Sequence, residues 1–224
     1  SPLISAIKLA TGDKLSILIA GEETSLWDVS YDSGYFIFDV NPHAAGLKYF
    51  VSYHPDEDRT YVMAQEEDVL VNLGALYGEN ATLTIKMNSN NIKGNENQGI
   101  SVAEGQTLNV EGADKTKPEA QQIAGVVYGF KSDNGGFINN AGTVKIEKTK
   151  FRDNIATQNG GAIYNAGTMT IENSTFGEYI DKVAHGNSAD GLGGAIYNAG
   201  TLTLSTTKGN LLSFVTDTDT IYNA

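Results

Sequence analysis

Cysteine is absent from this chain of 224 residues. No disulfide can therefore form, and a metal site would depend on histidine and carboxylate ligands. The three histidines, His43, His54 and His185, do not have the close spacing of a metal-ligand motif. The sequence thus predicts no metal site, and we expect no cofactor.

Basic residues and long apolar runs are also scarce. The chain has 15 lysines and arginines against 27 acidic residues, a net charge of −12. Nucleic-acid binding needs a basic surface that meets phosphate groups, so the charge disfavours that partner. No apolar run approaches the length that spans a bilayer as a helix, so no membrane span is expected in this chain.

What the sequence has in abundance is repetition. The nine residues GGAIYNAGT occur at 160–168 and 193–201, and IYNA returns at 221–224. A threonine after the turn marks each of five copies: Thr82, Thr107, Thr143, Thr168 and Thr201. Successive marker threonines are 25, 36, 25 and 33 residues apart. The longer spacings equal 25 plus insertions of 11 and 8 residues, near 113–122 and 177–186. A constant period with extra length in one place predicts stacked coils with protruding loops.

Within each copy the apolar residues alternate with polar ones. Val144 and Ile146, for example, alternate with Thr143 and Lys145. This period of two predicts short strands that bury one face only, and such strands must stack on their own copies. We therefore predict an all-β fold: a right-handed parallel β-helix over residues 73–224, with about 25 residues per coil. It would contain five coils and a truncated sixth, and leucine-rich repeats are the alternative.

The residues at the repeated turn have a structural interpretation. The glycines are expected at a backbone position with positive φ. The asparagines are expected to stack and form a ladder of side-chain amides along the axis. These predicted turn residues are Asn140, Asn165, Asn198, Gly142, Gly167 and Gly200. Phe151 and Phe176 align as inward residues, and Gly209 stands at that position in the last copy.

Two short motifs carry a resemblance to a known family. GGAI is intact at 160–163 and 193–196, and the pattern FxxN is intact only at 151–154. Together they resemble the GGA(I/L/V) and FxxN repeats of chlamydial polymorphic outer-membrane proteins, and the coil is similar to the passenger domains of autotransporter adhesins. The resemblance covers roughly residues 74–224. It implies a bacterial cell-surface or secreted protein, associated with the outer membrane, that contacts a host surface protein or a glycan.

The two ends of the chain differ from the repeat. Residues 1–72 lack the period and hold 9 of the 20 aromatic residues, which predicts a small β cap or a separate β domain. Acidic runs at 55–59 and 65–68 suggest calcium, but neither has the spaced ligands of a calcium loop, so a solvated acidic face is favoured. At the other end the sequence stops inside a copy. We expect a piece of a longer protein, stacked through an open end of the β-helix on the rest of it.

Three functions remain open from the sequence. Tyr164, Tyr197 and Tyr222 share one register and predict an outward aromatic stripe, which could contact sugars or only stabilise the surface. The insertions are candidate binding loops, and they add Tyr179 and His185 as candidate binding residues. An adhesin or glycan-binding module is therefore the first hypothesis.

The second hypothesis is a polysaccharide lyase or glycoside hydrolase. It would use Glu147 and Glu172, which we expect to stack one coil apart, as a carboxylate pair. The third is a passive stalk. No catalytic residue set is predicted with enough support to expect an enzyme, because the fold alone does not imply an activity.

Overall fold

The computed structural model describes residues 82–224 except 88, 95, 97, 208 and 211, and it describes seven strands of the N-terminal third by their backbone alone. His43, His54 and the acidic runs at 55–59 and 65–68 lie outside the described residues. Within the described part, a complete coil passes through four sheets in a fixed order. We name them the threonine, phenylalanine, short and tyrosine sheets. Strands of successive coils pair in parallel, so the predicted parallel β-helix is confirmed.

The threonine sheet confirms the repeat period. The five marker threonines lie opposite one another on successive coils. Along Thr143–Glu147 the inward Val144 and Ile146 are buried and the outward Thr143 and Lys145 are exposed, as the alternation predicts. The strands of this sheet in the described part are Lys14–Ala20, Lys48–Phe50, Thr60–Ala64, Thr82–Lys86, Thr107–Glu111, Thr143–Glu147, Thr168–Glu172 and Thr201–Ser205.

The phenylalanine sheet contributes a column of stacked rings to the core. Phe151 and Phe176 are fully buried with ring centroids 4.9 Å apart, and Phe214 stacks on Phe176 at the same distance. Phe214, and not Gly209, therefore occupies the inward position of the last coil, and that prediction is wrong. Burial of a ring fixes the strand register, so extra residues before the strand are accommodated as loop. The strands are Glu23–Ser25, Asn91–Lys93, Gly125–Tyr128, Thr149–Arg152, Thr175–Phe176 and Ser213–Phe214.

The short and tyrosine sheets complete each coil. The short sheet consists of Lys131–Asn134, Ile155–Asn159 and Ser188–Ala189. The tyrosine sheet consists of Ile100–Val102, Ile138–Asn140, Ile163–Asn165, Ile196–Asn198 and Ile221–Asn223.

The predicted asparagine ladder lies at the last residue of the tyrosine-sheet strands, directly before the turn. The side-chain Nδ2 of Asn140 donates to Oδ1 of Asn165 at 2.7 Å, and Asn165 donates in the same way to Asn198 at 2.7 Å. Asn198 then donates to Asn223 at 3.1 Å. Asn140 and Asn165 are completely buried, so the ladder satisfies amides that have no access to water.

The glycines at this turn have a different role from the predicted one. Gly142, Gly167 and Gly200 do not have positive φ. A Cβ at Gly167 would instead overlap the carbonyl oxygen of Gly142, and a Cβ at Gly200 would overlap that of Gly167. Close approach of successive backbones, and not a left-handed conformation, therefore requires glycine here. Positive φ occurs at the first residue of each glycine pair, for example 69° at both Gly160 and Gly193.

The N-terminal strands continue two of the sheets. Lys14–Ala20 pairs in parallel with Thr82–Lys86 and Thr60–Ala64, and Glu23–Ser25 pairs in parallel with Asn91–Lys93. The strands Ser5–Lys8, Val29–Asp32 and Tyr35–Phe38 form an antiparallel sheet. The domain boundary at residue 72 stays a prediction.

The two insertions form distinct elements. The inserted loop, residues 113–122, links the threonine sheet to the phenylalanine sheet and contains the 3₁₀ helix Glu119–Gln121. The inserted hairpin, residues 178–185, links the phenylalanine sheet to the short sheet through the antiparallel strands Glu178–Ile180 and Val183–His185.

Candidate functional site

The tyrosine stripe exists as a stacked column. Tyr164 and Tyr197 have ring centroids 5.0 Å apart and planes within 3°, and Tyr197 and Tyr222 follow at 5.3 Å and 20°. Both faces of Tyr197 are therefore covered by neighbouring rings. A sugar cannot stack on a covered face, so the middle of the column offers ring edges and hydroxyl groups to a ligand.

At the end of the column nearer the N-terminus, one face of Tyr164 has no ring stacked on it. The residue in register with Tyr164 on the preceding coil is Asn139, which is exposed, and Ser101 precedes it in turn. Both side chains are short and polar. No ring therefore covers the face of Tyr164 on this side.

A polar cavity of about 580 Å³ lies beside this position. It lies between the short sheet and the tyrosine sheet, where each coil turns from one to the other. Its lining includes carboxylates, amides, a hydroxyl and one ammonium group, on Glu96, Ser101, Lys131, Asp133, Asn134 and Asn139. Some of these groups are held in place: Asp133 Oδ1 accepts from Thr157 at 2.8 Å, and Asn134 donates to Gln158 at 3.2 Å.

A second cavity, of about 440 Å³, lies at the same corner further along the axis. Leu192, Asp217, Thr218 and Tyr222 contribute to its lining. Three turns along this corner carry glycine pairs, at 135–136, 160–161 and 193–194, so no side chain extends from these positions. We call the two cavities and the glycine turns between them the corner groove. Its walls are the outward side chains of the short sheet and the tyrosine column.

The sequence did not identify the groove residues, because they have no motif of their own. Asp133 and Asn134 directly precede the glycine pair at 135–136, and Asn139 follows it. The available signal was their outward register on either side of that pair. That register indicates a site only when the folded chain is known, because the short and tyrosine sheets of successive coils together form the two walls of the groove.

Tyr179 and His185 lie elsewhere, on the inserted hairpin at the other border of the short sheet. Tyr179 is 58% exposed, and its role in binding stays a prediction. The Nδ1 atom of His185 lies 3.0 Å from Asp153 Oδ2, so this side chain anchors the hairpin to the coil.

The hairpin has a second anchor at Glu178. Its Oε2 accepts from Lys150 Nζ at 2.5 Å, and its Oε1 lies 2.8 Å from Arg152 Nε. The Nε contact is an ion pair and not an aligned hydrogen bond, because this buried nitrogen makes no bond of acceptable geometry. The Arg152 guanidinium also lies 4.1 Å from the centroid of Tyr128. Together with His185, these contacts hold the hairpin against the phenylalanine sheet.

The inserted loop is fixed by ion pairs. Lys115 Nζ lies 3.2 Å from Glu111 and 2.9 Å from Glu147. Partial burial lowers the pKa of Lys115, but hydrogen bonds and charge interactions with Glu147 and Glu111 outweigh it, so the pKa lies above the usual value for lysine. At the other end of the loop, Lys148 donates to Gln122 at 2.7 Å.

The carboxylate pair considered for catalysis is stacked as predicted. Glu147 lies opposite Glu172 on the next coil. However, Lys115 contacts Glu147, and Lys145 Nζ lies 3.5 Å from Glu172. Each carboxylate therefore has a lysine partner, which is the arrangement expected of a charged surface column.

A second ladder lies at the border between the phenylalanine and short sheets. Asn154 donates to Asn187 at 2.9 Å, and Asn187 donates to Oδ1 of Asp219 at 2.7 Å. All three side chains are buried. Oδ2 of Asp219 accepts from the hydroxyl of Thr216 at 2.6 Å. The FxxN pattern shows this ladder only once the inserted hairpin is removed between Phe176 and Asn187.

Within the described part of the chain, no helix is long and apolar enough to cross a membrane. The same residues contain no cluster of three or more histidine, cysteine or acidic side chains that could hold a metal ion. No family model, curated protein or solved structure matches the chain.

Proposed function

We propose that this chain is a carbohydrate-binding part of a bacterial cell-surface or secreted β-helical protein, of the adhesin type, and that the corner groove is its binding site. One observation carries the proposal. A polar cavity of about 580 Å³ is lined by Asn139, and Asn139 lies in register with Tyr164 on the side of that ring that no other ring covers. The resemblance to surface passenger domains supports the location.

The chemistry of the cavity suits a sugar. Hydroxyl groups of a sugar both donate and accept hydrogen bonds, and the lining provides acceptors on Asp133 and Glu96 and both types of group on the amides of Asn134 and Asn139. The apolar face of a pyranose ring packs on an aromatic face, and Tyr164, one coil beyond Asn139, offers such a face to a sugar that extends past the lining. Two of the lining groups, Asp133 and Asn134, are already oriented by Thr157 and Gln158, which lowers the entropic cost of binding.

The test is the substitution Asn139→Tyr. A tyrosine at this exposed position continues the column on Tyr164, covers its free face and occupies part of the cavity. The added ring pair should stabilise the fold by about 0.5–1.5 kcal/mol while glycan binding is lost. The binding readout is a glycan array followed by calorimetry with the ligands that bind, and the stability readout is thermal unfolding.

The matched control is Thr168→Tyr, which adds the same side chain at an exposed position on the threonine sheet. It should keep the binding of the unmodified chain. If Asn139→Tyr binds the same glycans with unchanged affinity, the corner groove is not the site.

A carbohydrate-active enzyme is a second candidate, because two carboxylates, Glu96 and Asp133, line the same cavity. It is distinguished by product analysis. Incubation of the chain with the glycans it binds should release no reducing sugar and no unsaturated product if binding is the whole function. Release that disappears in Asp133→Asn would favour the enzyme.

A further inference from the structure

We infer that the ligand of the corner groove is an unbranched, uncharged oligosaccharide that lies parallel to the axis of the β-helix and contacts at least three coils. This inference rests on the proposed function and narrows it to one class of glycan. Three features of the groove carry it: its length, the repetition of its wall and its charge.

The length follows from the positions of the two cavities. The first is lined by residues 96–101 and 131–139, and the second by residues 188–194 and 217–222, so they belong to different coils at one corner. The tyrosine column begins at Tyr164, on the coil after the first cavity, and ends at Tyr222 in the lining of the second, with ring spacings of 5.0 and 5.3 Å. A ligand that occupies both cavities must therefore extend along the axis past Tyr164 and Tyr197.

The wall repeats with the spacing of the coils. Strands in neighbouring coils lie about 4.8 Å apart, so the three coils of Tyr164, Tyr197 and Tyr222 each present one tyrosine edge and hydroxyl at that interval. A pyranose unit of an extended chain is close to this length, so successive sugars can meet successive tyrosines in the same way. A ligand that crosses the axis would contact only the two coils that line one cavity and would leave the other cavity empty.

The charge of the groove selects against acidic glycans. Glu96 and Asp133 in the first cavity and Asp217 in the second oppose only one basic group in these linings, Lys131. The chain as a whole carries a net charge of −12. Uronic acid chains and sulfated glycans would meet carboxylates in both cavities, and juxtaposed like charges reduce affinity.

The experiment is a length series measured by calorimetry. Neutral linear glucans, mannans, xylans and galactans of two to six units are compared with oligogalacturonates of the same lengths. Affinity for a neutral series should rise at least tenfold between two and six units, and the oligogalacturonates should not bind.

The central variant is Tyr197→Ala, which should remove most of the gain in affinity with chain length. Tyr197→Phe keeps the ring stack and removes only the hydroxyl, so a loss of the long-chain gain in this variant cannot come from misfolding. Thr170→Ala on the threonine sheet is the control and should keep the full gain.

The outcomes separate the inference from the proposed function. An affinity that does not change with length, or preferred binding of the acidic series, overturns the inference and leaves a glycan-binding groove. The inference is also overturned if both Tyr197 variants keep the full rise in affinity with oligosaccharide length. Absence of binding to every glycan overturns the proposed function itself.

Discussion

Single buried amides determine how the coils align. Asn165 accepts from Asn140 and donates to both Asn198 Oδ1 and the carbonyl of Thr201, at 3.1 Å for the latter. Its side chain is completely buried. Loss of this amide leaves polar groups of neighbouring coils without partners in a place that water does not reach, and an unsatisfied buried group is more costly than the bond itself.

We therefore expect Asn165→Ala to lower the free energy of unfolding by about 2–3 kcal/mol. Asn139→Ala, at an exposed asparagine of the neighbouring strand, should change it by less than about 0.5 kcal/mol. Urea denaturation followed by circular dichroism measures both. Equal effects of the two substitutions would show that the ladder does not stabilise the coil.

Among the elements, the inserted hairpin contains the clearest local strain. Ile180 pairs with Val183, and the two turn residues between them, Asp181 and Lys182, have φ of 50° and 68°. Two left-handed residues in a two-residue turn match the twist of a hairpin, but they favour Asn-Gly over Asp-Lys. The turn thus has the correct geometry with a sequence that costs free energy.

Lys182→Gly should stabilise the hairpin by about 1 kcal/mol, because glycine adopts a left-handed conformation without penalty. Hydrogen exchange of the amides of residues 178–185 should slow accordingly. Lys145→Gly provides the opposite case, since Lys145 lies in an extended strand, and there glycine should destabilise by about 0.5–1 kcal/mol. Faster exchange of the hairpin in Lys182→Gly would contradict the assigned turn.

The inserted loop should respond to alkaline pH through Lys115. Because the pKa of Lys115 is higher in the folded chain than in the unfolded one, its contribution to stability is complete below the unfolded pKa. It is lost as pH rises through the folded pKa. The melting temperature of Lys115→Met should therefore lie below that of the unmodified chain at neutral pH, and the two should converge only when the pH exceeds the folded pKa, which lies above the usual lysine value of 10.5. A difference that persists there would assign the effect to packing of the side chain.

At the scale of the whole molecule, the strands of each coil over residues 82–224 pair only with strands of neighbouring coils, while the inserted loop reaches further, since Glu119 accepts from Asn210 at 3.0 Å. In such an architecture stability is close to a sum of coil and interface contributions. The phenylalanine column runs through these interfaces, and Phe151 packs on Phe137 at 6.1 Å and on Phe176 at 4.9 Å. Phe151 is fully buried, whereas Phe214 is only partly buried.

Phe151→Ala should accordingly lower the free energy of unfolding by about 3–5 kcal/mol, since it leaves a cavity between two coils. Phe214→Ala should cost clearly less, because less apolar surface is removed from a buried environment. Thermal unfolding of both variants makes the comparison. A similar loss of stability in Phe151→Ala and Phe214→Ala would mean that the buried centre of the phenylalanine column stabilises the fold no more than its end does.

The sequence alone determined the period, the register and the direction of the side chains. The marker threonines, the asparagine ladder and the tyrosine stripe all follow from it, because a stacked coil converts equal spacing along the chain into contact between neighbours. The sequence alone also located the insertions, although it did not show that one of them folds as a hairpin.

Only the tertiary structure decided the rest. The close approach at Gly167, the inward position of Phe214 and the ladder that ends at Asp219 depend on distances between coils, which are not written in one copy of the repeat. The corner groove depends on them most, since its two walls come from different sheets and its length from several coils. A repeat specifies its own stacking, but a site formed across repeats exists only after the coils have packed.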